Sequence, residues 1–195
     1  TAVTLTANSM ALGASPTSVI QAGAGTVTLQ QKTNGTALDL GAPADTGFAL
    51  TTTELGTIAT TGPLHIGNAN TGAITISAGV TSPITTTRLT SGAGISGAGT
   101  FTANSLALVA GTGINANTAA TNLAASTTTS GITVSNTIAG TLNVTTVDAT
   151  VTGINSTGTA INLTETTGAV TLSQPVNAGA STVAVTLNGA DKLLT

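Results

Sequence analysis

Chemistry at a protein site needs groups that titrate, coordinate or attack, and this chain has few of them. Its acids are Asp39, Asp45, Glu54, Asp148, Glu165 and Asp191, its cations are Lys32, Arg88 and Lys192, His65 is the single histidine, and cysteine is absent. Cleavage of a glycosidic bond needs two carboxylates a few ångströms apart. Asp39 in LDL and Glu165 in LTET read as outward strand positions far apart in sequence. No acid belongs to a motif, so solvated faces or turns are expected for all six. His65 in LHI is flanked by Leu64 and Ile66, which points it outward. With no cysteine, second histidine or nearby acid, it is a poor metal ligand. Arg88 in TTTRLT reads as a single solvated charge. Calcium-binding repeats need Asp-rich turns, whereas the turns here carry Asn, Gly and Thr. No catalytic, cofactor-binding or metal-binding residue is therefore expected.

Asn68, Asn70, Asn115 and Asn117 suit turn positions of positive φ, or stacked amides. Asn-x-Ser/Thr glycosylation acceptors occur at Asn34, Asn143, Asn155 and Asn162, about as many as chance gives in a chain this rich in Ser and Thr.

The elements that would carry these residues are short strands. Charged residues make up 5%, against about 25% in ordinary globular proteins, while hydrophobic residues reach 40%, enough for a core. Abundant Thr, Val and Ile favour pleated strands. The phrase NTGAITIS returns in GTVTLQ, GTALDLG, GTLNVT, GTAINLT and GAVTLSQ. Apolar-x-apolar triplets at Val27/Leu29, Leu38/Leu40, Leu64/Ile66, Ile74/Ile76, Leu106/Leu108, Ile132/Val134, Leu142/Val144, Ile161/Leu163 and Val170/Leu172 are separated by Gly, Asn, Thr and Pro clusters. Neighbouring triplets often lie 9 to 11 positions apart, as Leu163 to Leu172 and Leu29 to Leu40 do. Helix is a poor reading, because Gly, Thr, Asn and Ser form helices at a cost and no 3.6-residue stripe persists.

Short strands at this spacing suit an antiparallel sandwich or barrel, or a β-solenoid. Their brevity, the near-absence of aromatics (Phe48 and Phe101 only) and their interchangeability favour the solenoid. The expected fold is all-β, a parallel β-helix (β-solenoid) spanning 1–195 as a single segment. At about twenty residues per coil it would have about ten coils, and at about 4.8 Å per coil it would be a rod about 45–50 Å long. Inward Val, Ile and Leu would form ladders, and outward Thr would avoid stacking like charges on one another. SPITTTRLTSGAGISGAG, between Thr81 and Thr100, blurs the period. The N-terminus TAVTLTAN starts in mid-pattern, as a piece of a longer repetitive chain would.

The stretch VTLQQKTNGTALDLGAPADTGFALTTTELGTIATTGPLHIGNANTGAITISAGVT, residues 27–81, resembles the β-strand repeats of filamentous-haemagglutinin-like giant adhesins of Gram-negative bacteria. LALVAGTGINANTAATNLAASTTTSGITVSN, residues 106–136, is similar in style. The resemblance implies export by the two-partner route, a right-handed parallel β-helix, and service as a rod segment of a secreted surface fibre. No ligand residue carries over, and the family's secretion-signal domain is not matched.

The expected role is therefore a non-catalytic stalk segment of an extracellular adhesin, without cofactor, at the bacterial cell surface. Its partners would be neighbouring repeats, other rods through lateral or end-to-end association, and host-surface or extracellular glycans. The scarcity of cations speaks against nucleic acid, and no apolar run is long enough for a membrane-spanning helix. The alternatives are the repeating unit of a self-assembling filament or sheath, a carbohydrate-active β-helix, and an ice binder. For the last, the Thr-x-Thr pairs Thr4/Thr6, Thr26/Thr28, Thr85/Thr87 and Thr164/Thr166 are too irregularly placed to form a plane.

Overall fold

A computed structural model describes residues 1–13, 20–42, 47–188 and 193–195. Seventeen strands join into one sheet, and all its pairings between named strands are parallel, in register apart from one shift. The all-β expectation holds, and the parallel pairing is that of a stacked-strand fold.

Side-chain alternation, set by the pleat, sorts each strand. Val27–Gln30, Leu38–Leu40 and Ile74–Ile76 bury their apolar residues and turn Thr28, Asp39 and Thr75 outward. Parallel register then stacks like on like. One inward column runs Val3, Val27, Leu64, Thr87, Leu106, Leu123, Val144, Leu172. A second, two positions along on its first six levels, runs Leu5, Leu29, Ile66, Leu89, Leu108, Ala125, Ile154, Val176. A third, on another stretch of each turn, runs Phe48, Leu38, Ile74, Ile95, Ile114, Ile132, Ile161, Val183. The five successive isoleucines in that column are all buried. Residues with a stacked neighbour on both sides are buried, whereas Val183, with one, is 44% exposed.

The period is not uniform. Stacked partners are 17 residues apart at Leu106/Leu123 and 37 apart at Val27/Leu64. The long interval contains Leu38–Leu40 and then Phe48–Leu50, which pairs on the edge of Leu38–Leu40 opposite Ile74–Ile76. The chain thus steps back a level before moving on. A short helix, Thr52–Leu55, follows, closed by a capping box in which Thr51 and Glu54 satisfy each other's backbone N–H.

The blurred stretch after Thr81 resolves into Thr86–Ser91 and Ile95–Ala110, with a register shift between Ser96 and Thr100. Gly97, at φ 142°, sits in that bulge, and a Cβ there would collide with the Ile76 carbonyl. A β-bulge next to another backbone leaves room only for glycine.

Truncating a side chain inside a column removes contacts to both neighbouring levels. Ile66→Ala should cost about 2–5 kcal/mol of unfolding free energy. Val183→Ala, at an outer level, should cost less than about 1.5 kcal/mol, because the wild-type side chain already meets solvent. Urea unfolding followed by far-UV circular dichroism measures both, and equal losses would contradict the stacked-column account.

Candidate functional site: an ion cluster beneath a hairpin

The outward positions form columns too. One runs Thr4, Thr28, His65, Arg88, Ala107, Ala124. Where the next level should continue, the chain leaves the sheet. Leu123 pairs with Val144 and Ala125 with Ile154, so a single residue, Ala124, is matched by the whole excursion 145–153.

That excursion folds back over the outer face. Thr146–Val147 and Val151–Thr152 pair antiparallel. They are the one antiparallel pair among the described strands, a local hairpin laid on the parallel sheet. Val147 and Val151 pack on Ala107 and Ala124, which are fully buried although they face outward, with Val109 at the margin. Alanine suits both places because a longer side chain would lift the hairpin off the sheet.

At the hairpin tip, Asp148 and Ala149 have φ of 56° and 54°, the only non-glycine positive values among the described residues. Such backbone costs an L-residue energy and persists where the surroundings hold it. Asp148 supplies the hold. Its Oδ2 accepts a hydrogen bond from Arg88 Nη1 at 2.9 Å and lies 2.8 Å from His65 Nε2. The imidazole N–H is poorly aligned with that oxygen, so the histidine contact is proximity rather than a well-formed hydrogen bond. Arg88 Nη1 also reaches Thr150 Oγ1 at 3.3 Å, and Nη2 lies 3.4 Å from His65 Nδ1.

Two expectations are corrected here. His65 does face outward, but it has an acid beside it, and Arg88 is an ion-pair partner rather than a lone solvated charge. The acid lies 83 residues beyond His65 and 60 beyond Arg88 in sequence. The one available signal was the break in period between Leu142/Val144 and Ile161/Leu163, filled by TTVDATVTG.

The cluster's chemistry is limited by its own geometry. A histidine acting as general base needs one ring nitrogen on an orienting acid and the other on the group it deprotonates. Here Nδ1 faces a guanidinium, which has no proton to give up near neutral pH. The same guanidinium opposes a cation at His65. No three metal-binding side chains gather among the described residues.

The other acids are placed differently. Asp39 is outward and half-buried, and accepts a hydrogen bond from Ser77 Oγ. Glu54 is buried in the helix cap, where Oε1 also accepts from Leu12 N at 3.2 Å. Asp45 and Asp191 lie outside the described residues, as does Lys192. Glu165 was expected to face outward and instead is fully buried. Along Ile161–Glu165 the inward parity of Ile161 and Leu163 continues to Glu165.

Glu165 ends a polar stretch of a fourth inward column, Val80, Phe101, Thr118, Asn136, Glu165. Thr118 Oγ1 donates to Asn136 Oδ1 at 2.8 Å, and Asn136 Nδ2 donates to Glu165 Oε2 at 2.7 Å. Oε1 accepts from the backbone N–H of Ile138, Thr167 and Gly168 at 3.2, 3.0 and 2.9 Å. Burial pushes this carboxyl up, but the bonds from Asn136, Gly168, Thr167 and Ile138 outweigh burial and hold it below the ordinary carboxylate range.

The Asn positions meet expectation in part. Asn68 and Asn70 do not adopt positive φ. Asn68 does join side-chain amides of another level: its Oδ1 accepts from Gln31 Nε2 at 2.8 Å and its Nδ2 donates to Gln30 Oε1 at 3.0 Å, while Oδ1 also accepts from Asn70 N at 2.8 Å. Asn115 and Asn117 lie inside a strand, opposite Thr133 and Ser135. A further amide pair joins Asn143 Nδ2 to Asn122 Oδ1 at 3.4 Å, and Asn122 Nδ2 donates to Ser105 Oγ at 3.1 Å. Of the glycosylation acceptors, Asn34 and Asn162 are exposed, while Asn143 and Asn155 are half-buried. Thr87 turns inward and bonds Ser82 while Thr85 stays exposed, so the two do not share an outer face.

No family model, curated protein or solved structure matches this chain.

Because the folded protein lowers the pKa of Glu165, the unfolded chain binds more protons in the acid range, and stability rises with pH there. The contribution is complete above the unfolded carboxylate value of about 4.3 and is lost as pH falls through the depressed folded value. Glu165→Gln should remove this acid dependence and cost about 1–3 kcal/mol near neutral pH, since its amide would face the Asn136 donor. Unfolding midpoints of both proteins from pH 2 to 7 measure the effect; parallel profiles would exclude it.

Proposed function

We propose that the chain is a non-catalytic stalk segment of an extracellular fibrous adhesin at a bacterial cell surface, wound as a right-handed β-solenoid. The observation that carries this reading is the set of three inward columns, each eight side chains long and apolar except at Thr87, running through parallel strands. With the bridge between Val170 and Leu194 adding a further level, the columns favour about nine coils, close to the ten that an average of about twenty residues per coil suggests. Such a stack resists bending because each level bonds to the levels above and below. Its outer surface carries hydroxyls and amides with few charges, so like charges do not repel from level to level. The resemblance of residues 27–81 to adhesin repeats supports the same role.

A second reading, the repeating unit of a self-assembling filament, draws on four large hydrophobic residues exposed among the described residues: Leu172, Val183, Leu193 and Leu194. Further coils of a longer chain or another copy of this chain would each cover them.

Electron microscopy and sedimentation velocity of the purified chain distinguish the two. A stalk segment should give monomeric rods about 35–45 Å long, from levels about 4.8 Å apart. Concentration-dependent fibres would replace the stalk reading with the filament, and globular particles would overturn both.

A further inference from the structure

Among the described residues, three buried side-chain atoms have no hydrogen-bond partner: His65 Nε2, Arg88 Nε and Thr90 Oγ1. All three belong to the outer face beside the hairpin. The buried polar groups elsewhere, such as Thr118, Asn136 and Glu165, are satisfied, so this grouping calls for a cause. Arg88 and Thr90 also line one groove of about 530 Å³ between the sheet and the hairpin. Its floor is the outward column Thr90, Val109, Ser126, Asn155. Thr152 of the hairpin stands on one side.

We propose that this groove binds an acidic sugar, whose carboxylate replaces that of Asp148 on Arg88 while its hydroxyls bond Thr90, Ser126 and Asn155. The lining sets the ligand's chemistry. Hydroxyl and amide groups around a small apolar floor suit a polyhydroxylated ring. The lone guanidinium suits one carboxylate, since Arg grips that group through two parallel N–H bonds. A neutral sugar would leave Arg88 Nε as unsatisfied as before. A polyanion would need a cluster of cations, and the whole chain has three.

The hairpin supplies the exchange. Asp148 is an internal carboxylate already seated on Arg88, at a tip whose two positive-φ residues favour release once that contact is given up. With the tip down, Arg88 Nε and Thr90 Oγ1 are closed to solvent; with the tip lifted, a ligand reaches both. The groove is independent of the stalk reading, since it uses only outward side chains.

Galacturonic acid and galactose differ only in carrying a carboxylate or a hydroxymethyl group, which makes them the probe and its control. Titration of the isotopically labelled chain, followed by amide NMR shifts at Thr90, Ser126 and Asn155, should give a millimolar Kd for galacturonic acid and binding roughly tenfold weaker for galactose. Asp148→Asn should tighten galacturonic acid about threefold or more, because it removes the competing carboxylate. Arg88→Gln should abolish the preference for the acid; if that variant does not fold, Thr90→Val should weaken binding several-fold. A purely structural ion pair gives no tightening in Asp148→Asn. Unchanged or weaker binding in that variant, equal affinity for the two sugars, acetate binding as well as galacturonic acid, or no saturable shift with either sugar would each overturn the proposal.

Discussion

The constraint on which the structure depends is parallel stacking in register. Each inward side chain sits over its counterpart one level away, at the spacing of hydrogen-bonded strands, about 4.8 Å. A side chain is therefore selected for fitting a copy of itself as much as for filling a core. The column from Ile74 through Ile95, Ile114 and Ile132 to Ile161 shows the outcome. Isoleucine has few rotamers when extended, and like shapes interlock without a partner of different size. The same constraint explains the scarcity of charge outside, where stacking would set like beside like.

Self-similarity creates a problem of its own. Repeats this alike could pair at the wrong level, or slip by one residue and turn each strand inside out. The buried polar residues counter that. Thr118, Asn136 and Glu165 bond one another across three levels, and Glu165 also takes three backbone donors. An apolar side chain shifted into any of these places would leave a donor or acceptor buried without a partner. The glycine bulge at Gly97 is a second non-repeating mark.

How much was readable beforehand follows from the range of each interaction. Strand identity and inward parity are local, and the alternation in LDL, ITI and INL gave them correctly. Glu165 departed from the outward reading because a charge is expected in solvent; of the donors that make its burial tolerable, Thr167 and Gly168 are local, but Asn136 and Ile138 come from a neighbouring level. The ion cluster was hidden for a different reason. Asp148 reaches His65 and Arg88 only because residues 145–153 leave the sheet and turn back across earlier levels, and a search for regularity passes over such a break. The helix Thr52–Leu55 was missed likewise, although TTTE spells its capping box. The back-step of Phe48–Leu50 leaves no local mark at all.

The hairpin also shows what this architecture tolerates. Val144 and Ile154 keep their places in two adjacent columns although nine residues intervene where each of the six preceding levels has one. Continuity of the core is thus decoupled from continuity of the chain. A scaffold with that property can acquire local novelty on its flank, one insertion at a time, without renegotiating the packing that keeps it upright.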